Sequence, residues 1–330
     1  MNIVLCYPLE SQHLAAIQAV APDANLIDAG QERIAEAIHD ADIFCGHAKV
    51  PLDWEGVVAR GRLRWIQSSA AGIDHCLVPA VARSPIPVTS SSGLFAVQVA
   101  EHTMALLLAL IRSIPTFVGA QQTRSFVRLP TDDLAGKTIG IVGLGGNGRQ
   151  IAHVLAPFDV RILATDWFPM DPPPHVDALW GPDQLDRLLG EADVVVLTVP
   201  LTETTTGMID GGAIGKMKQG AMLINVARGP VVQEEALVAA LNSGRIAAAG
   251  LDVTETEPLL RDSPLWECPN VLITPHVGAQ SAKRLDRTTG LFCENLRRFL
   301  RGEALLNLVD KQLGFPHPET RPAPGTYDAL

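Results

Sequence analysis

The sequence predicts an α/β protein made of two doubly wound parallel-sheet domains. Three observations carry this. The chain has 330 residues, about two domains at roughly 150 residues each. Short apolar runs alternate with helix-like stretches in two series, one before Ser90 and one from Lys137, and strands alternating with helices imply a parallel sheet covered on both faces. A Ser/Gly stretch, Ser90-Ser91-Ser92-Gly93, separates the two series.

In the first series Asn2–Tyr7 reads as a strand and Ser11–Ala21 as a helix with Ser11 as a candidate N-cap. Leu26–Asp28 is a strand, Gln31–His39 a helix, Asp42–Cys45 a strand, Leu52–Ala59 a helix and Trp65–Gln67 a strand. Val97–Ile111 follows the break as a long apolar helix ended by Pro115. It carries apolar side chains around most of its circumference, so one face packs on its own domain and the rest needs cover. A homodimer is the expected cover. The second series opens with the strand Thr138–Val142, a glycine turn and a helix to Leu155. Val160–Thr165, Asp193–Val199, Ala221–Val226, Ala247–Val253 and Val271–Thr274 are further strands, and the near-continuous valine of 193–199 suits a strand buried on both faces. Gly290–Leu300 reads as the last helix, and the proline-rich tail from Phe315 as loop.

Composition excludes several functions. The net charge is −10 and aromatics are 5%, which argues against nucleic acid or an anionic membrane surface as partner. No apolar run reaches the ~18–20 residues of a membrane span. The chain enters a strand at Ile3 with no basic, apolar leader pattern, so a cytoplasmic location is expected. Five scattered cysteines without a CxxC pair read as reduced, buried thiols. Cys45-Gly46-His47 offers two ligands without partners, so no metal site is expected.

Gly143-Leu144-Gly145-Gly146-Asn147-Gly148 is a GxGxxG between a strand and a helix. Gly143 permits the tight turn, Gly145 lets backbone approach a pyrophosphate, and Gly148 lets helix and strand pack closely. The helix N-terminus offers N–H groups to the phosphates. Asp166 ends the next strand, 18 residues after Gly148. An acid there hydrogen-bonds the ribose of NAD and repels a 2′-phosphate, and Trp167 and Phe168 bring no cation for NADP. Farther on, Arg228, Glu257 and His276 each follow a predicted strand. In a parallel sheet all three then lie at the carboxyl edge, where ligands bind. Together they supply an acid or base, a carboxylate to tune it and a fixed cation.

Motifs along ~240 residues resemble the D-2-hydroxyacid dehydrogenase family: Gly143–Gly148, Val199-Pro200-Leu201-Thr202 with Thr205 and Gly207, Asn225-Val226-Ala227-Arg228-Gly229, Leu251-Asp252-Val253 with Glu257-Pro258, and Thr274-Pro275-His276-Val277-Gly278. Ala71-Gly72-Ile73-Asp74, Val99-Ala100-Glu101-His102, Glu294-Asn295-Leu296 and Asn307-Leu308-Val309-Asp310 match as well. The resemblance implies a Rossmann NAD domain over 97–289, inserted into a flavodoxin-like substrate domain formed by 1–96 and 290–330. An active site in the interdomain cleft follows from the same likeness. It implies that Arg228 grips the substrate carboxylate and 2-oxo group, that the amides of Ala71 and Gly72 bind the carboxylate, and that His276 is general acid or base. Glu257 would hold the imidazole and favour its protonated form. Cofactor contacts carry over to Gly143, Gly145, Gly146, Asn147, Gly148, Asp166, Val199, Pro200, Thr205, Val226, Ala227, Arg228, Asp252, His276 and Gly278, with Asp252 at the nicotinamide end.

Departures bear on the substrate. Ser90 and Ser91 stand where the family often has Asn, and Phe126 where it often has Trp. Ser68, Ser69 and Ala70 supply no Arg before the Ala71-Gly72 loop, which disfavours a phosphorylated substrate, and Glu257 with His276 argues against formate. Glyoxylate or hydroxypyruvate is the favoured 2-oxo acid. Two other classes compete. A non-enzymatic, redox-sensing corepressor on the same scaffold is disfavoured by the acidic charge and the lack of basic tails. A hydrolase is disfavoured by the absence of a GxSxG elbow.

Overall fold

The computed structural model describes residues 1–322 and Tyr327. The end of the proline-rich tail lies outside the described residues. The chain divides into two compact units, Met1–Phe95 with Ser281–Leu330, and Ala96–Gln280.

The first segment contains β1 (Asn2–Cys6), α1 (Ser11–Val20), β2 (Asn25–Asp28), α2 (Ile34–Ala37), β3 (Ile43–Gly46), α3 (Trp54–Ala59), β4 (Trp65–Ser68), α4 (Pro79–Arg83) and β5 (Val88–Thr89). The strands are parallel, in the order β2-β1-β3-β4-β5, which is the flavodoxin-like order. Ile3 to Cys6 are wholly buried because β1 is an interior strand, between β2 and β3, and helices cover both its faces. The cap of α1 is Glu10 rather than Ser11, reciprocating with His13. The expected helix Gln31–His39 shrinks to α2 and one 3₁₀ turn.

The second unit begins with α5 (Ala96–Ile111) and α6 (Ile114–Gln122). Pro115 sits in the first turn of α6, where its missing N–H costs nothing, so it starts a helix rather than only ending one. Then come β6 (Thr138–Val142), α7 (Gly146–Leu155), β7 (Arg161–Thr165), β8 (Ala178–Trp180), α8 (Leu185–Glu191), β9 (Val194–Leu197), α9 (Gly211–Lys216), β10 (Ala221–Asn225), α10 (Glu234–Asn242), β11 (Ile246–Leu251) and β12 (Val271–Ile273). The seven strands are parallel, in the order β12-β11-β10-β9-β6-β7-β8. This is the Rossmann order with one added strand, and its direction reverses between β6 and β9. Val194 to Leu197 are wholly buried.

The chain returns to the first unit with α11 (Arg284–Arg301), then β13 (Val309–Asp310) and β14 (Phe315–Pro316). The second boundary therefore falls at Gln280 rather than at 289. The helix is continuous from Arg284 and buries Thr288, Thr289, Phe292 and Leu296 on one face, a stripe whose start is hidden by a first turn with three charged residues and by inward threonines. All five cysteines are buried thiols. Burial pushes Cys6 and Cys293 up to about 11 and Cys76 up to about 12. Among the described residues no single helix is long and apolar enough to cross a membrane.

Candidate active site

The glycine turn sits at the reversal of strand order. Gly143 has φ +98, and a Cβ there would lie 3.0 Å from Val199 Cγ1 and 3.1 Å from the Thr198 carbonyl carbon. The turn thus presses on the chain leaving β9. A Cβ on Gly148 would collide with the Gly143 carbonyl oxygen, so α7 approaches its own strand only with glycine there. At Gly145 a Cβ would meet nothing within 4 Å. The turn is therefore open where a pyrophosphate needs room and closed elsewhere, and α7 begins at Gly146 with its N-terminus toward that space. The residues fit a dinucleotide.

Asp166 closes the other side. Its Oδ2 accepts from the Leu144 amide at 2.7 Å and its Oδ1 from the Phe168 amide at 2.9 Å. Sequence reasoning missed Arg149. Its Nε donates to Leu144 O (3.1 Å), Nη1 to Asp171 O (2.8 Å) and Nη2 to Met170 O (3.1 Å). One guanidinium thus ties the loop after Asp166 to the glycine turn. Beyond β9, Thr205 Oγ1 donates to Pro200 O at 2.6 Å and accepts from Thr202 N at 2.8 Å, which fixes the Val199–Thr205 turn.

Arg228 leaves β10 through a built corner. Asn225 is 1% exposed. Its Oδ1 accepts from Ala227 N at 3.0 Å and its Nδ2 donates to Arg228 O at 3.1 Å. Val226 and Ala227 are buried. A Cβ on Gly229 would collide with the Thr254 carbonyl, so glycine lets this corner reach the segment after β11. That segment carries Glu257. Its Oε2 lies 2.8 Å from His276 Nδ1, and Thr254 N donates to its Oε1 at 3.4 Å. Burial pushes the Glu257 carboxyl up. The hydrogen bond and charge of His276, the Thr254 amide and the Arg228 charge outweigh it and hold Glu257 below its ordinary 4.5. The structure thus brings Arg228, Glu257 and His276 into one electrostatic group. Both ring partners are accessible, His276 at 44% and Glu257 at 38%.

His276 has φ +54, an uncommon conformation for a side-chain-bearing residue. Asp252 holds it there. The Asp252 carbonyl accepts from His276 N at 2.8 Å. Its Oδ1 accepts from Val277 N at 2.9 Å and from the Thr274 hydroxyl at 2.7 Å, and its Oδ2 from Gly278 N at 2.8 Å. Gly278 is required, since a Cβ there would lie 2.7 Å from Asp252 Oδ2. Asp252 is 3% exposed, so its first task is to fix the turn that presents His276.

Ala71 and Gly72 lie in the other unit, on the loop after β4. Ser68 Oγ accepts from Ala70 N and donates to Ala70 O, both at 3.0 Å, and Ser91 Oγ donates to Ser68 O at 2.9 Å. The serines noted in the sequence thus shape this loop. Among the described residues no group of three or more His, Cys, Asp or Glu could hold a metal.

Comparison with known proteins bears on the family. Residues 104–278 match the family profile described as D-isomer specific 2-hydroxyacid dehydrogenase, NAD binding domain. A glyoxylate reductase of Thermofilum pendens is 36% identical over 293 residues, 86% of this chain and 85% of that one. A D-3-phosphoglycerate dehydrogenase of Mycobacterium tuberculosis is 34% identical over 88% of this chain, which spans only 55% of that protein. Among solved structures, a D-isomer specific 2-hydroxyacid dehydrogenase from Xanthobacter autotrophicus in complex with NADPH and MES is 32% identical, with TM-score 0.81, covering 95% of this chain and 99% of that one. The strand orders, the glycine turn and these likenesses converge: the chain belongs to the D-isomer specific 2-hydroxyacid dehydrogenase family of oxidoreductases.

Proposed function

We propose that the protein interconverts a small 2-oxo acid and its D-2-hydroxy acid, with His276 moving the proton. The observation that carries this is the 2.8 Å contact between His276 Nδ1 and Glu257 Oε2 beside Arg228. With Nδ1 engaged, Nε2 is the nitrogen that serves the substrate. In reduction it gives its proton to the oxygen of C2; in oxidation it takes that proton back. Glu257 stabilises the imidazolium and fixes the ring. The Arg228 fork binds the carboxylate and polarises the 2-oxo group. By the family resemblance, the amides of Ala71 and Gly72 would be further carboxylate donors.

A bound nicotinamide dinucleotide supplies the hydride. Gly143, Gly145, Gly146, Asn147 and Gly148 would take its pyrophosphate, and Asp166 its ribose. Val199, Pro200, Thr205, Val226, Ala227 and Gly278 would hold the nicotinamide end. Asp252 Oδ2, which accepts one amide at 2.8 Å, would accept from the carboxamide. NADH is the preferred form, because Asp166 repels a 2′-phosphate and the Arg149 fork is committed to three carbonyls. The NADPH of the Xanthobacter structure makes the choice a direct test.

Glyoxylate or hydroxypyruvate is the favoured substrate: Ser68, Ser69 and Ala70 bring no cation for a phosphate, and a glyoxylate reductase is among the relatives. Assay of glyoxylate, hydroxypyruvate and 3-phosphohydroxypyruvate with NADH and NADPH tests all three statements. No oxidation of either coenzyme by any of them sinks the reading. Preference for NADPH sinks the role of Asp166.

We further propose a homodimer through the second unit. Most apolar residues of α5 are buried within it, so the need for cover moves to the next segment. There Ile114, Val118, Phe126, Val127 and Leu129 are exposed, Phe126 at 93%. A monomeric mass in solution at micromolar concentration contradicts it.

A further inference from the structure

α5 lays Leu106 and Leu110 on β11. A Cβ on Gly250 would lie 3.1 Å from Leu106 Cβ and 3.4 Å from Leu110 Cδ1. His102 is one helical turn before Leu106, and Asp252 is two residues beyond Gly250. A turn of helix advances about 5.4 Å and two strand residues about 6.6 Å. The two side chains are therefore carried to the same level, at the carboxyl end of β11.

There His102 Nε2 lies 2.8 Å from Thr274 Oγ1 and 3.2 Å from Asp252 Oδ1. The Thr274 hydroxyl lies 2.7 Å from the same carboxylate oxygen. An ionised carboxylate only accepts, so the hydroxyl proton points to Asp252, and Thr274 Oγ1 accepts from His102 Nε2–H. These partners assign the tautomer: Nε2 carries the proton. The packing leaves no slack, since a Cβ on Gly278 would lie 2.7 Å from Asp252 Oδ2 and 3.4 Å from His102 Cδ2.

We propose that His102 is a positioning residue for His276. Its Nε2–H clamps the Asp252–Thr274 pair, and Asp252 in turn holds the amides of His276, Val277 and Gly278. Without the clamp the buried carboxylate loses a side-chain N–H partner, the left-handed turn loosens, and the ring leaves Glu257 for part of the time. This rests on the reading of His276 as proton donor.

The test uses the full chain as wild type, His102→Leu, His102→Gln and Thr274→Val. His102→Leu removes the donor; His102→Gln keeps an N–H that can reach the same oxygens. Hydrogen–deuterium exchange of the peptide containing Val277 and Gly278 is measured without ligand, and kcat for glyoxylate alongside the NADH Kd. His102→Leu and Thr274→Val should speed exchange in that peptide. His102→Leu should lower kcat by roughly 10-fold or more, as misplacement of a reacting group does, a larger factor than its change in NADH Kd, and His102→Gln should restore most of the loss. Unchanged exchange, unchanged kcat, a kcat loss matched by lost NADH binding, or failure of Gln to restore would each overturn the proposal. If wild type turns over no 2-oxo acid, the functional reading fails, while the exchange result still reads the clamp.

Discussion

Asp252 and Glu257 are two carboxylates that flank one histidine and are held in opposite ways. Asp252 is 3% exposed, and its oxygens take two backbone amides and a hydroxyl. Glu257 is 38% exposed and faces the His276 ring with one oxygen. A buried acceptor with several donors fixes geometry, because losing any one of them leaves a desolvated charge underpaired. An accessible acceptor on one ring nitrogen adjusts charge, because water can replace it. The backbone of His276 and the chemistry proposed for its ring are thus governed by different acids.

Substitutions sharpen this division. The largest effect belongs to the residue between the two acids. His276→Gln should lower kcat/KM in both directions by roughly 10²–10⁴-fold, the usual worth of a positioned acid or base. An effect in one direction only would break the single-donor scheme. Arg228→Lys should cost roughly 10²-fold in kcat/KM for the 2-oxo acid, since an ammonium lacks the fork that meets the carboxylate and oxyanion together. Steady-state kinetics with an unchanged circular dichroism spectrum would check it.

Asp252→Asn should act as a structural lesion with catalytic consequences. The amide NH₂ replaces one acceptor and confronts a backbone N–H, at a cost of about 1–3 kcal/mol in stability. Denaturant unfolding measures it, and a variant as stable as wild type would deny Asp252 its anchoring task.

Glu257→Gln should barely change stability near neutral pH, within about 1 kcal/mol for so accessible a pair. Its pH dependence has a definite sign. Glu257 is held below its ordinary 4.5, so its contribution is complete above that value and is lost as pH falls through the lower folded value. The gap in Tm between wild type and Glu257→Gln should therefore close in acid; a gap that widens there would contradict the ion pair.

The strand-end candidates and the residues that anchor them differed in how far the sequence announced them. The GxGxxG with Asp166, and Arg228, Glu257 and His276 after their strands, were legible because strand ends and glycine spacing are local signals. Both parallel sheets followed from the alternation of apolar runs. The anchoring residues were not legible in the same way. His102 lies in a helix far from β11 in sequence, and only the packing of Leu106 on Gly250 brings it to Asp252. Asn225 and Arg149 act by hydrogen bonds to backbone, which carry no periodic pattern. The short strands β5 and β8 lacked an apolar run long enough to notice. The start of α11 was missed because Arg284 to Thr289 holds a single apolar residue, Leu285, and its inward threonines do not read as apolar.

The central claim is that Glu257 tunes the proton held by His276, and one paired measurement tests it most directly. The pH profile of kcat/KM for 2-oxo acid reduction is recorded for wild type and for Glu257→Gln. The hydrogen bond and charge of His276 hold the Glu257 carboxyl down, and attraction between opposite charges is mutual, so removing the carboxylate should move the falling, high-pH limb of the reductive profile to lower pH while activity persists. Oxidation of the 2-hydroxy acid, which needs neutral imidazole, should gain at low pH by the same shift. A reductive limb that stays where it was in the variant would contradict the account, even for an active dehydrogenase.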